Sequence, residues 1–202
     1  MTALSPLPPS PEAPASSAAQ RILDAAERLF YSRGVQAVGI DMIVAAAGVG
    51  LKTLYAHFGS KDGLVEAYLR RRSQRWLDGL QIRMAQLHGH DRVLAIFDAL
   101  NEWFAAPDFS GCAFVNAAGE LHTNPVARAI ACEHKQAVRA LLRNGARDAA
   151  VTDPDTFADQ LMLLVEGATA TAYVEGDKLA AIRARSTAAA LLHCTRRNRD
   201  SS

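Results

Sequence analysis

Apolar residues recur every three to four positions along most of the chain, and this spacing is typical of amphipathic helices. No segment alternates apolar and polar residues convincingly enough to predict a strand. A short segment of small and apolar residues covers 111–122. Elsewhere the pattern, with Ser, Gly and Pro at its interruptions, predicts helices over about 17–33, 40–47, 51–57, 61–87, 92–105, 125–150, 154–175 and 177–194. We therefore expect an all-α fold of about nine helices, three in a front module and the rest in a bundle.

The two ends of the chain differ in composition from this helical body. Residues 1–16 are mainly Pro, Ser and Ala with Glu12 as the one charge, so they bury too little apolar surface to offset the entropy of ordering. We expect a disordered arm there and a frayed polar tail over 196–202. Between them we expect a small domain at 17–62 and a larger one at 63–195.

Two very short helices with a glycine-containing corner lie between residues 39 and 58. Leu51, Leu54 and Phe58 fall at positions i, i+3 and i+7, so we expect them to face inward. Gly48 suits the corner because glycine tolerates the left-handed backbone that a tight turn often needs. This layout is typical of a helix-turn-helix, whose second helix enters the major groove of DNA. The residues left exposed on that helix are then Lys52, Thr53, Ala56 and His57, with Tyr55 at the flank.

The polar residues of this second helix have the chemistry that DNA contacts require. Lys52 can donate to guanine O6 or N7, and Thr53 can touch a thymine methyl group. Tyr55, His57 and Lys61 are donors suited to phosphates, which set register rather than sequence preference. The formal net charge is only +1, so any DNA-binding charge must be local. The alternative interpretations are a partly packed aromatic for Tyr55 and a solvated helix end for His57.

Several small motifs between residues 20 and 66 follow one another in a characteristic order and spacing. They are Arg21-Ile22-Leu23-Asp24-Ala25-Ala26 with Leu29-Phe30, Gly34, the run from Ile43 to Val49, the run from Thr53 to Phe58, Ser60-Lys61 and Leu64. This region resembles the N-terminal domain of the tetracycline-repressor (TetR) family of bacterial regulators. The resemblance implies that Leu51, Lys52 and Thr53 read bases and that Tyr55, His57 and Lys61 contact phosphates.

Two positions depart from the family pattern. Many relatives place a Thr at position 39, where it caps the second helix and can touch a phosphate, whereas this chain has Gly39. Gly50 replaces a common Ser at the start of the recognition helix. Gly39 removes the side chain for one contact with the DNA backbone and leaves the expected fold unchanged.

The resemblance also implies that residues from about 90 onward form a helical dimerisation and effector-binding domain. The segment 111–120 resembles one found in a branch of the family. Residues 161–172 and 186–192 are apolar nearly all round, and a helix of that kind is buried against two surfaces. We predict a homodimer through the helices at about 155–175 and 178–194. The alternative is that these two helices are central core helices of one chain.

An effector pocket should be concave and mostly apolar, with a few polar groups. Each candidate has the alternative of being an ordinary core residue. Glu166 lies on an apolar helix, where a carboxylate is costly unless paired or solvated; it could bind a cationic or hydroxyl-bearing ligand, pair with an Arg or cap the dimer seam. The candidate lining residues are Phe97, Trp103, Phe104, Phe114, Asn116, Met162, Glu166 and Tyr173.

Other classes of protein find little support in the sequence. The cysteines and histidines share no metal-ligand spacing, so we expect neither a metal nor a cofactor. We find no Gly-rich phosphate loop, nucleophile elbow or His-Glu-x-x-His motif, which disfavours an enzyme. No apolar run approaches the ~20 residues that span a bilayer, so we expect no membrane partner.

The hypothesis is a ligand-responsive transcriptional repressor of the bacterial cytoplasm, associated with the nucleoid when it is bound to DNA. It would bind a palindromic, double-stranded operator as a homodimer and be released by an unknown small-molecule effector. The alternatives are a ligand-independent activator, an architectural DNA binder and an all-α enzyme.

Overall fold

The computed structural model describes the backbone of residues 17–200 and the side chains of residues 17–194, and the arm expected at 1–16 lies outside them. Within 17–200 the chain forms helices and no strand, so the all-α prediction is confirmed. None of these helices is both long and apolar enough to cross a membrane. The helices are α1 (Ala18–Arg33), α2 (Ile40–Ala47), α3 (Leu51–Phe58), α4 (Lys61–Ala85), α5 (Gly89–Ala105), α6 (Ala113–Glu120), α7 (Pro125–Asp148), α8 (Pro154–Glu175) and α9 (Ala180–Asp200).

Some helix ends differ from the sequence-based prediction. Helix α9 continues to Asp200, so 195–200 is helical where the boundary at 195 and a frayed tail were expected; no Gly or Pro interrupts this stretch. Helix α5 begins at Gly89 rather than near Arg92, and the Gly89 N–H donates to Asp148 Oδ2 over 2.9 Å. Gly89, His90 and Asp91, which lie between the helices predicted at about 61–87 and 92–105, therefore form the first turn of α5.

Side-chain caps begin four of the helices, α1, α4, α7 and α8. The Ser17 hydroxyl accepts a hydrogen bond from the Gln20 N–H over 3.2 Å at the start of α1. The Ser60 hydroxyl accepts one from the Gly63 N–H over 3.0 Å at the start of α4. Between α2 and α3, Gly48 adopts the left-handed conformation, with φ 62° and ψ 43°. The predicted corner is therefore confirmed, and it orients α3 against α1 and α2.

The hydrophobic core around α1, α2 and α3 does not stop at the expected boundary between 62 and 63. It continues into the first half of α4 and is closed by α6 and the beginning of α7. Helix α4 therefore belongs to both halves of the molecule. The largest fully buried side chains of this core are Ile22, Ile43, Leu54, Leu64, Tyr68 and Leu69.

A second core joins the end of α4 to α5, α7, α8 and α9. Trp103 packs against both cores. Its indole Nε1–H donates to the Tyr31 hydroxyl over 3.2 Å, and the same hydroxyl accepts from the Ser110 N–H over 3.0 Å. The Tyr31 hydroxyl in turn donates to the Gly111 carbonyl over 3.1 Å. One phenol on α1 thus ties the front module to the loop that follows α5.

Two glycines of α4 provide a matched test of how α3 and α4 meet. A Cβ at Gly63 would overlap the Phe58 carbonyl oxygen, whereas a Cβ at Gly79 would meet nothing within 4 Å. We expect Gly63→Ala to destabilise the protein by about 1–3 kcal/mol, because the α3–α4 corner must shift. We expect Gly79→Ala to stabilise it by about 0.5–1 kcal/mol through helix propensity. Urea unfolding measures both, and equal effects of the two substitutions would contradict this steric account.

Candidate functional site

One face of α3 is exposed, and it carries the predicted DNA contacts. Lys52, Tyr55 and His57 are exposed, Thr53 is half-buried, and the buried Leu54 anchors the opposite side of the helix. The inward orientation predicted for Leu51 is wrong, because 46% of this residue is exposed. It occupies the first position of a short helix, at the rim of a small core. Leu51 therefore lies on the same outer surface as Lys52, which suits the base-reading role implied for it.

The elements around α3 fix its position. Lys61 is half-buried at the start of α4, directly after the cap at Ser60. The Arg21 Nε–H donates to the Ala47 carbonyl over 3.3 Å and so joins α1 to the end of α2. Neither Gly39 nor Gly50 provides a side-chain cap for α2 or α3, as expected from the two departures in the sequence. The roles of the α3 side chains in binding remain predictions.

A cavity of about 240 Å³ lies between α1, α4, α5, α6, α7 and α8. This volume is small beside the roughly 300–1,000 Å³ of typical ligand pockets. Four of the eight residues proposed from the sequence line it, namely Trp103, Phe114, Met162 and Glu166. The remaining lining residues are Glu27, Arg72, Arg75, Trp76, Ile96, Leu100, Cys112, Ala113, His134, Lys135, Val138, Val165 and Thr169.

The other four candidates lie outside this lining. Phe97 and Phe104 are fully buried in the second core. The Asn116 side-chain amide donates to the Ser110 carbonyl over 3.0 Å. Tyr173 is 53% exposed, and its ring covers Gly111, where an added Cβ would lie about 2.9 Å from the ring. Large buried aromatics thus fill the core as readily as they line a cavity.

The carboxylate of Glu166 has a partner within the chain. It forms an ion pair with the Lys135 ammonium group, so it meets a Lys from α7 rather than the Arg that the sequence analysis considered. The Lys135 Nζ also lies 3.6 Å from the Cys112 Sγ. This pair supplies two of the five charged side chains that line the cavity.

A second charged group of the cavity joins α1 to α4. Glu27 of α1 is only 12% exposed in its side chain, and its carboxylate lies 2.5 Å from Arg71, 3.0 Å from Arg75 and 3.6 Å from Arg72. The guanidinium of Arg72 also lies 3.7 Å from the centre of the Tyr31 ring. The sequence places these arginines together on α4, but it does not reveal their acidic partner, which lies three helices earlier in the chain.

His134 is a buried histidine in the cavity wall that sequence reasoning did not connect with a ligand site. Its ring stacks on Phe114 at 3.8 Å between centres, and its Nδ1 lies 2.9 Å from the Ser73 hydroxyl. Burial, reinforced by the positive charges of Lys135 and Arg72, lowers the pKa of His134 from 6.5 to about 4. The imidazole is therefore neutral at pH 7.

Comparison with known proteins covers both halves of the chain. Residues 22–68 match the model described as bacterial regulatory proteins of the tetR family, and residues 89–188 match the tetracyclin repressor-like C-terminal domain. A TetR-family transcriptional regulator from Streptomyces coelicolor has a TM-score of 0.80 and 31% identity, covering 89% of this chain and 90% of that chain. A TetR transcriptional regulator from Legionella pneumophila shares the fold, with a TM-score of 0.75 and 21% identity, covering 89% of this chain and 99% of that chain.

A curated relative matches about a third of the chain. It is an uncharacterized HTH-type transcriptional regulator of Mycobacterium tuberculosis, 41% identical over 70 residues. The match covers 35% of this chain and 35% of that protein, so it spans about a third of the relative's length.

A helix-turn-helix module joined by a long helix to a larger helical domain defines a DNA-binding regulator of transcription rather than an enzyme. The chain belongs to the TetR family of bacterial transcriptional regulators.

The buried imidazole of His134 generates a prediction about pH. Because its pKa is lower in the folded protein than the ordinary value of 6.5, the unfolded chain takes up a proton first as the pH falls. The free energy of unfolding should therefore drop by on the order of 3 kcal/mol between pH 6.5 and pH 4. In His134→Gln this contribution should vanish. Urea unfolding of both proteins over this range measures it, and parallel pH curves would contradict the assignment.

Proposed function

We propose that this protein is a ligand-responsive repressor that binds a palindromic operator as a homodimer. The exposed face of α3 would read bases through Leu51, Lys52 and Thr53, while Tyr55, His57 and Lys61 would hold phosphates. Two copies are needed because each recognition helix reads one half-site, and the half-sites lie about 34–36 Å apart. The effector would occupy the cavity beside α4.

Exposed apolar residues on α8 and α9 support the homodimer. Leu163 is 74% exposed and Val174 is 79% exposed, and their spacing of three helical turns puts them on one side of α8. Leu179 and Ile182 are also more than half exposed at the start of α9. Exposed apolar surface of this kind, on two helices that pack against each other, is typical of an interface. It lies on the two helices that the sequence analysis assigned to the dimer.

The position of the cavity supports a response to a bound ligand. Its lining includes Glu27 from α1 and Arg72, Arg75 and Trp76 from α4. A bound molecule would therefore touch both the front module and the long helix that links it to the rest of the chain. A ligand that prefers one arrangement of these helices would shift the separation of the two recognition helices.

Repression is the simpler consequence of such binding. A protein that occupies an operator can block transcription by occupancy alone, whereas activation needs an additional contact with the transcription machinery. Release of the repressor then requires the ligand to favour the state that does not bind DNA. A reporter gene placed behind the operator distinguishes repression from activation. If the protein is a repressor, its loss should raise expression of the reporter.

The DNA surface is tested by selecting an operator from a pool of random duplexes and titrating the salt concentration. The logarithm of the DNA-binding constant falls linearly with the logarithm of the salt concentration. We expect Lys61→Ala to make this negative slope shallower by about 1, because one phosphate contact is lost. We expect Lys52→Ala to reduce the preference for the operator over random DNA by about 1–3 kcal/mol. Arg147→Ala, on an exposed arginine at the end of α7, serves as the control. Failure of any sequence to be enriched would rule out the proposed function.

The dimer surface is tested by placing charge on it. We expect the double variant Leu163→Glu and Val174→Glu to be monomeric in sedimentation velocity, because burying two unpaired carboxylates is costly. It should also lose most of its operator affinity. Val115→Glu changes an exposed apolar residue of α6 and should leave the dimer intact. A wild-type protein that sediments as a monomer at micromolar concentration would refute the proposed assembly.

A further inference from the structure

The charged side chains around the cavity are not balanced by one another. The lining contains three cationic groups, Arg72, Arg75 and Lys135, and two carboxylates, Glu27 and Glu166. Glu166 is paired with Lys135. Glu27 is paired at 3.0 Å with Arg75. A fourth cation outside the lining, Arg71, lies 2.5 Å from Glu27 and is balanced by Asp24 at 2.7 Å. The positive charge that remains belongs to Arg72.

Arg72 also has unused hydrogen-bonding capacity. Its guanidinium carries five N–H donors, yet it makes no hydrogen bond to residues 17–194, and its closest carboxylate contact is with Glu27 at 3.6 Å. Its side chain is only 21% exposed, and its guanidinium lies over the ring of Tyr31. A partly buried cation is costly without an acceptor, and the planar guanidinium matches the two oxygens of a carboxylate.

The remaining cavity wall favours a flat apolar group. Trp76 and Trp103 lie 5.2 Å apart between ring centres, and Phe114 is stacked with the neutral His134. Aromatic rings pack favourably against one another in stacked and edge-to-face arrangements. The volume of about 240 Å³ limits the occupant to a small molecule.

We propose that the cavity binds a small aromatic carboxylate, with its carboxylate on Arg72 and its ring among the aromatic side chains. This inference deepens the proposed function and rests on it for the regulatory consequence. The ligand's carboxylate would lie beside Glu27, repel it and compete with it for Arg72 and Arg75. The ligand therefore favours a state in which α1 is held less firmly against α4, and DNA binding weakens.

Calorimetric titration of the full chain with 2-naphthoate tests the ligand class, and 2-naphthamide is the uncharged isostere. We expect the carboxylate to bind at least 10-fold more tightly than the amide. Arg72→Met should weaken binding of the carboxylate by roughly 10- to 100-fold, the value of a hydrogen bond to a charged group, and should leave the amide unchanged. Arg70→Met is the matched control, because this neighbouring arginine pairs with Glu66 and Glu133 outside the cavity.

Glu27→Gln provides a test that misfolding cannot imitate. Removing the competing carboxylate should increase the affinity for 2-naphthoate, whereas a damaged fold would decrease it. The proposal is overturned if wild type binds the amide as tightly as the carboxylate. It is also overturned if Arg72→Met binds like wild type, or if 2-naphthoate does not bind at millimolar concentration.

Operator affinity measured in parallel separates this inference from the proposed function. Saturating 2-naphthoate should weaken operator binding 5- to 150-fold, the usual range of allosteric coupling, and Arg72→Met should abolish this effect. A protein that binds its operator but does not distinguish the carboxylate from the amide is a regulator with another class of ligand. If the protein binds the carboxylate through Arg72 but binds no operator, the ligand site is supported and the proposed function is refuted.

Discussion

The carboxylate of Glu27 is the constraint on which the arrangement of the two halves depends. Only 12% of this side chain is exposed, and a carboxylate at such depth needs cationic partners and hydrogen bonds. Arg71, Arg72 and Arg75 provide the charges from one side of α4. Because an unpaired buried charge is far more costly than a paired one is stabilising, the cluster holds α1 in a single register against α4.

The same junction forms one wall of the cavity, so the DNA-binding module and the ligand site share a structural element. Helix α4 contributes to both hydrophobic cores, and Trp103 packs against both. The Tyr31 hydroxyl adds three hydrogen bonds between α1 and the segment from α5 to the following loop. Closely packed elements move as units rather than deform. A displacement of α4 at the cavity wall would therefore also move the core that supports α3.

Local patterns predicted α3 better than they predicted the cavity. The spacing of Leu54 and the polar residues around it identified the exposed face, although Leu51 lies on that face rather than inside. For the cavity, the signals were aromatic and Met side chains and a few polar residues; Glu166 does line the cavity, but Phe97 and Phe104 proved to be core residues. Apolar periodicity shows which side of a helix is buried, but it does not distinguish a filled interior from the wall of a cavity.

The sequence by itself determined the features that depend on a few neighbouring residues: the positions of the helices, the cap at Ser60 and the left-handed corner at Gly48. Only the tertiary structure decided which charges meet and which apolar surfaces stay exposed. Glu27 and Arg71 are 44 positions apart, and their contact depends on how α1 crosses α4. A helix repeats every 3.6 residues, so its sequence predicts a buried face, whereas the partner of that face is fixed by the packing of all the helices together.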